Sequence, residues 1–325
     1  MKELYPIFLK PTIKNYIWGG NKFQDVIQSP KETNQPIAEV WIVYDQNPVL
    51  NGSYTGLTLQ ELTQKFGNKL LGSRYSSVTP GKFPLLIKLL DCNQWLSIQV
   101  HPDDAKAREL EGPEFSGKTE GWYVIDANHN AQLIAGVKPG VTKEQLSEAI
   151  KTGKVIDSLV NHNIHKDDYI YIPAGTIHAL GPGSIIYEIQ QNSDITYRVY
   201  DWDRPASDGR PLHIEKSIRV SDPSLQSALK KINSTKLQNI FSNDYFSLDL
   251  FQSNGLEITL DPAGETFHSL TVIEGTGRFE YKKETFEMNQ FESVLLPASL
   301  SEYKLSGKAK ILVGSLNYKQ GDNVK

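Results

Sequence analysis

DYIYIPAGTIHALGPGSIIYEIQQNSDITYRVYDW, residues 168–202, decides the fold. It holds three short runs rich in β-branched and aromatic residues, DYIYIPAG (168–175), SIIYEIQQ (184–191) and ITYRVYDW (195–202), each closed by Gly, Pro, Asn or Asp. Runs of this length with turn residues between them read as strands. The same rhythm extends upstream through AEVWIVYD (38–45), FPLLIKLLD (83–91), LSIQVHP (96–102), GWYVIDA (121–127) and AQLIAGV (131–137). Strands do not alternate with long helical patterns, so the expectation is a mainly β, mostly antiparallel core: a sandwich, jelly roll or barrel.

Helical segments are expected near 102–112, where Pro102 precedes Asp103 and Asp104, and over 142–163, where Thr142 and Gln145 match a capping box, Gly153 ends the first helix and a weaker one follows at 153–163. LHIEKSIRVSDPSLQSALKK (212–231) reads as a strand-poor connector. Strand patterns resume in YFSLDLFQSN (245–254), LEITLD (256–261), SLTVIEGTGRFEY (269–281), FEMNQFESVLLP (286–297) and KAKILVGSLN (308–317). Two domains follow, 1–234 and 235–325, the second resembling a copy of the first that has lost its polar residues.

The 325 residues are 39% hydrophobic and 22% charged, an ordinary globular balance, with a net charge of −4. That charge argues against a nucleic-acid partner. No run of about 18 apolar residues and no signal-type apolar stretch occurs, so neither a membrane span nor export is expected. A single cysteine, Cys92, set among apolar residues, fits a reducing cytoplasm.

Chemistry concentrates in the first domain. Side chains alternate along a strand, so Gln99 and His101 share a face, as Lys118 and Glu120 would on a strand begun at Gly117. The Pro-Ala-Gly turn before His178 re-aims the chain toward the interior. His101, Glu120 and His178 then supply two imidazoles and a carboxylate, a set suited to a divalent metal, with Gln99 as a fourth ligand. A lysine beside such an ion has its pKa lowered, which fits Lys118 as a proton carrier. Lys88 interrupts an otherwise buried strand and should point into a polar cavity. Trp18, Trp41 and Trp95 read as core anchors. Thr196, Arg198 and Tyr200 share one face. His129, His162, His165, His213 and His268 read as ordinary hydrogen-bonded histidines. In the second domain His268 has no Q-x-H partner, so no metal is expected there.

QVHPDD, GKTEGWYVI, PAGTIHALG and YEIQQNSDITYRVYDWDR, with YIWGGNKF and AEVWIV, resemble the type I mannose-6-phosphate isomerases in their short bacterial form, over nearly the whole chain. The resemblance implies two cupin jelly rolls and one zinc ion per chain held by Gln99, His101, Glu120 and His178. It places Lys118, Glu188 and Arg198 at catalytic positions, with Lys88, Asp194 and Arg204 nearby to bind substrate alongside Trp18 and Ser97. It implies interconversion of mannose 6-phosphate and fructose 6-phosphate through an enediolate, with a phosphorylated hexose as the small-molecule partner. Arg198 could serve the phosphate or the enediolate, not both. A cupin binding sugar or metal without turnover is the alternative. An iron oxygenase shares the two histidines and carboxylate, but Gln99 and the surrounding cations fit a phosphorylated sugar better.

Overall fold

The computed structural model describes residues 3–24, 35–75, 81–205, 210–233 and 236–317. Three antiparallel sheets build it. The first runs Thr12–Lys14, Glu39–Val43, Leu85–Cys92, Ser184–Gln191, Glu120–Ala127, Asp168–Ile172 and Lys230–Lys231 in spatial order. The second runs Tyr197–Tyr200, Ile98–Val100, His178–Leu180, Gln132–Val137 and Leu159–Asn163. The third, built from the C-terminal part, centres on the long strands His268–Tyr281 and Tyr303–Leu316.

Strand parity decides what each face meets. On the first sheet Leu90, Trp122, Val124, Ile170 and Ile186 pack against Leu133, Ala135 and Leu180 of the second, forming the interior of a sandwich. The opposite parity, Ile87, Leu89, Tyr123, Tyr187 and Ile189, joins Phe246, Leu250, Leu270, Val272 and Leu312 of the third sheet in one continuous core. Leu85–Cys92 and Ser184–Gln191 are therefore buried at every position, which is why their sequences read as almost unbroken apolar runs. The outer face of the second sheet is covered by helices: Ile98, Val100, Ile134 and Val199 pack with Leu146, Ile150 and Val220.

The units are also tied by backbone. Ile7 and Leu295 exchange hydrogen bonds of 2.8 and 2.9 Å, so the N-terminal segment pairs with the C-terminal sheet.

Helices form at Asp104–Glu111, capped by Asp103, and at Lys143–Lys151, where Thr142 and Gln145 complete the capping box. Two stretches differ from expectation. After Gly153 the chain makes a 3-10 turn, Val155–Ser158, and then the edge strand Leu159–Asn163 rather than a helix. Pairing with Gln132–Val137 overrides the weak strand propensity of Asn161, His162 and Asn163. Within 212–231 the connector contains the helix Ile214–Val220, whose Val220 enters the core under the second sheet. Leu59–Phe66 is a further helix, with Thr58 and Glu61 in a capping box.

Candidate active site

Two rungs of the facing sheets carry the polar interior. Across the first sheet Trp41, Lys88, Glu188 and Trp122 are consecutive partners on four strands. Across the second, Arg198 pairs with Gln99 and Gln99 with His178.

The segments holding these rungs fasten one another. Gly175, at φ 91°, donates its N–H to the carbonyl of His101 at 2.8 Å, binding the Pro-Ala-Gly turn to the Q-x-H strand. Gly117 presses on the start of the helix after His101: a Cβ there would lie 2.5 Å from the Asp103 carbonyl carbon. Its N–H donates to Asp104 Oδ1 at 2.7 Å, and the Lys118 N–H donates to the Pro102 carbonyl at 2.9 Å. Lys118 thus enters the interior from a loop, the strand beginning only at Glu120.

His101, Glu120 and His178 meet at the centre with ligand atoms within 4.8 Å of one another, all fully buried. Each histidine turns Nδ1 toward a backbone carbonyl: His101 toward Ile195 at 2.8 Å, His178 toward Thr176 at 2.9 Å. An Nδ1–H donated there leaves the Nε2 lone pair facing inward, the arrangement of a metal-ligating imidazole. Glu120 Oε1 lies 3.1 Å from His178 Nε2 and Oε2 lies 3.5 Å from His101 Nε2. Neither carboxylate oxygen accepts a hydrogen bond, although both are inaccessible to solvent. The side-chain amide of Gln99 stands 3.3 Å from His178 Nε2. Burial, aided by the Lys118 charge, pushes His178 down to about 3 and His101 well below its usual range, so both rings are neutral. Burial drives the Glu120 carboxyl upward. Neutral imidazoles with inward lone pairs beside a buried carboxylate fit a divalent cation.

Lys118 Nζ sits 2.9 Å from His101 Nε2 and forms an ion pair with Glu120 Oε2 at 2.5 Å. Glu188 accepts hydrogen bonds from Lys88 at 3.0 Å and from Trp122 Nε1 at 3.1 Å, with Lys118 3.9 Å away. Burial alone would raise its pKa, but Lys88 and Lys118 together outweigh burial and bring it down to about 2. Lys88 is in turn kept charged against burial by Glu188 and Glu39.

A cavity of about 330 Å³ opens above this centre. Trp18, Lys88, Ser97, Gln99, Lys118, Glu188, Asp194 and Arg198 all line it, so most of the residues singled out in the sequence converge. Arg204 does not. Its guanidinium donates to Asp201 Oδ1 at 2.8 Å and to the Trp95 carbonyl at 2.5 Å, and it faces a separate surface pocket. Tyr16, Glu39, Trp41 and Arg210 also line the cavity and were not anticipated. Strand parity in AEVWIV would have put Glu39 and Trp41 on one face; a loop arginine such as Arg210 carries no such signal. Of the remaining histidines, His268 bonds Tyr303, His213 Nδ1 accepts from the Arg198 N–H, and His165 lies beside Asp168.

Two family models match: the catalytic domain of type I phosphomannose isomerase over residues 7–142, and the mannose-6-phosphate isomerase cupin domain over residues 236–316. Mannose-6-phosphate isomerase ManA of Bacillus subtilis (strain 168) is 34% identical, the match covering 96% of this chain and 99% of the relative. The chain belongs to the type I mannose-6-phosphate isomerase family. The family member from Streptococcus mutans serotype c is 35% identical over 96% of this chain and 98% of its own. The crystal structure of the Bacillus subtilis mannose 6-phosphate isomerase superposes with a TM-score of 0.85 at 33% identity, covering 96% of this chain and 99% of that one. The third sheet is thus that of the family's cupin domain.

Proposed function

We propose that this chain interconverts mannose 6-phosphate and fructose 6-phosphate at the cavity above His101, Glu120 and His178, with zinc as the metal. The observation that carries the reading is the buried His–Glu–His set beneath a cavity lined by lysine and arginine, in a chain of this family. His101, Glu120 and His178 would hold the ion, with the Gln99 amide oxygen as fourth donor. When bound, it would supply positive potential at the developing enediolate oxygen.

Aldose and ketose differ by a proton moved between adjacent carbons and another moved between their oxygens. Lys118 Nζ, at the cavity floor, carries a proton between these positions. Glu188 is a poor proton acceptor near neutrality because Lys88 and Trp122 hold it as the carboxylate. Its role is to fix Lys88 and Lys118 and to balance their charge. Trp18, Trp41 and Tyr16 give the sugar an aromatic wall that keeps water from its ring.

The test is a coupled assay on purified protein, after chelation and after zinc is restored. Activity should vanish and return. Absence of isomerisation in the as-purified and zinc-restored protein alike would end this reading.

A further inference from the structure

Lys118 reaches the cavity from a loop and not from the strand that follows it, so its aim depends on what holds residues 117–119. The three consecutive N–H groups of that loop are all taken, each by a different acceptor. Gly117 donates to Asp104 Oδ1 at 2.7 Å, Lys118 to the Pro102 carbonyl at 2.9 Å and Thr119 to Gln191 Oε1 at 2.9 Å. The two side-chain acceptors are joined to each other, since Gln191 Nε2 donates to Asp104 Oδ1 at 3.1 Å. The Gln191 backbone N–H donates to the Thr119 carbonyl at 3.1 Å, so Thr119 is held at both its backbone groups by one residue.

The pair is not explained by the elements that carry it. The helix Asp104–Glu111 is already capped by Asp103, whose side chain accepts from the Lys106 N–H, so the Asp104 carboxylate is free to turn to the loop. Its second oxygen accepts from the Tyr245 hydroxyl of the C-terminal unit at 3.3 Å. Gln191 is buried, and an amide suits its place: the carbonyl end accepts from a backbone N–H while the NH2 end donates to a carboxylate. Glu120 has other support, because it lies on a strand between Gln190 and Ile172. Neither Asp104 nor Gln191 lines the cavity.

We infer that Asp104 and Gln191 are positioning residues for Lys118, fixing the 117–119 loop so that the ammonium group stands beside His101 and Glu120 at the cavity floor. The inference rests on the proposed role of Lys118 as proton carrier.

Asp104→Ala, Asp104→Asn and Gln191→Met, made in the full-length metal-loaded protein, test it by turnover of mannose 6-phosphate, metal content and amide hydrogen exchange. Misplacing a reacting group by about 1 Å can cost about 100-fold, so Asp104→Ala and Gln191→Met should lower kcat by about 10- to 100-fold, with KM within about threefold and metal content unchanged. Asp104→Asn keeps an oxygen for both donors and should recover most of the rate. In a Lys118→Met background Asp104→Ala should cost no more than about a further twofold, because two changes acting through one side chain do not add. Exchange at the Gly117 and Thr119 amides should quicken by about tenfold or more in Asp104→Ala while the strand Glu120–Ala127 stays protected. A full additional loss of rate in the Lys118→Met background, a rise in KM alone, metal lost along with rate, or unchanged exchange at Gly117 would each overturn the inference. If Gln191→Met does not fold, the Asp104 series decides. Should the unchanged metal-loaded protein fail to isomerise, the function reading falls, while the exchange comparison still decides whether the pair holds the loop of Lys118.

Discussion

His178 and His268 both stand on strands inside sheets of a β sandwich, but they have opposite surroundings. Around His178 are the rings and carboxylate of His101 and Glu120, the amide of Gln99 and the edge of Trp122, whose centroid is 5.3 Å away. Around His268 is a packing core of Phe267, Leu270, Leu296 and Tyr303, and its Nδ1 shares a 2.8 Å hydrogen bond with the Tyr303 hydroxyl. One histidine is satisfied by the fold. The other faces a carboxylate whose oxygens accept no hydrogen bond. Leaving buried polar groups in this state costs stability, and binding a cation offsets it. Where polar groups are clustered and unsatisfied the sandwich is organised around a ligand; where they are few and paired it is organised around its own core.

The largest expected consequence is at His178. His178→Ala should lose bound metal and activity together, whereas Lys118→Met should keep the metal and lose rate by about 10²- to 10⁴-fold, the usual contribution of a positioned proton carrier. Metal analysis beside turnover separates the two. Equal metal loss in both would mean that Lys118 serves the coordination geometry and not the proton.

Next in size is the Lys88–Glu188 pair, a polar rung inside an otherwise apolar sheet. Lys88→Met leaves Glu39 without its cation and Glu188 with Lys118 alone, 3.9 Å away, and breaking a buried pair on one side costs about 3–5 kcal/mol. Denaturant unfolding of the metal-loaded protein measures it. In the unchanged protein Glu188 has a depressed pKa, so its contribution is complete above pH 4.5 and is lost as pH falls toward about 2. In Lys88→Met the depression should shrink, so the loss on acidification becomes smaller and is complete at a higher pH. A variant as stable as the parent at neutral pH would show that the first interior tolerates unpaired charge, and the contrast between the two units would weaken.

Much of this is legible in the sequence. The Q-x-H spacing, the Pro-Ala-Gly turn and the lone lysine in PLLIKLLD each violate a local expectation, and violations of that kind gather at functional sites. Glu188 was not decidable, because Ile186 and Gln190 share its face and do not say which way it looks; the register Glu188–Lys88 settles it, and register is a property of two strands. Arg204 shows the converse. Its pairing with Asp201, three residues earlier in DWDR, was local and readable, and it takes the guanidinium away from the cavity. Arg210 emerges only in three dimensions, from its perch on Tyr16. The edge strand Leu159–Asn163 escapes because Asn161, His162 and Asn163 favour turns and a neighbour's backbone decides their conformation.

The smallest expected effect lies in the second unit. His268→Gln keeps a side chain able to bond Tyr303 and should leave metal content and activity unchanged, with a stability cost at neutral pH of about 1 kcal/mol for an altered hydrogen bond. Its signature is in acid. Burial lowers the His268 pKa from 6.5 to about 4. Between those values the unfolded chain binds a proton that the folded chain does not, so stability falls as pH drops from 6.5 toward 4 and changes no further from this source below that. The glutamine cannot take up that proton. The difference in unfolding free energy between the two proteins should therefore shift toward the variant by on the order of 2 kcal/mol across the window, after allowance for partial exposure. His101 and His178 destabilise both proteins alike in acid and cancel in the comparison. A difference that stays flat with pH would mean that His268 titrates normally and is not held neutral by its packing. A loss of bound metal would mean that the second unit reaches into the first through the core they share.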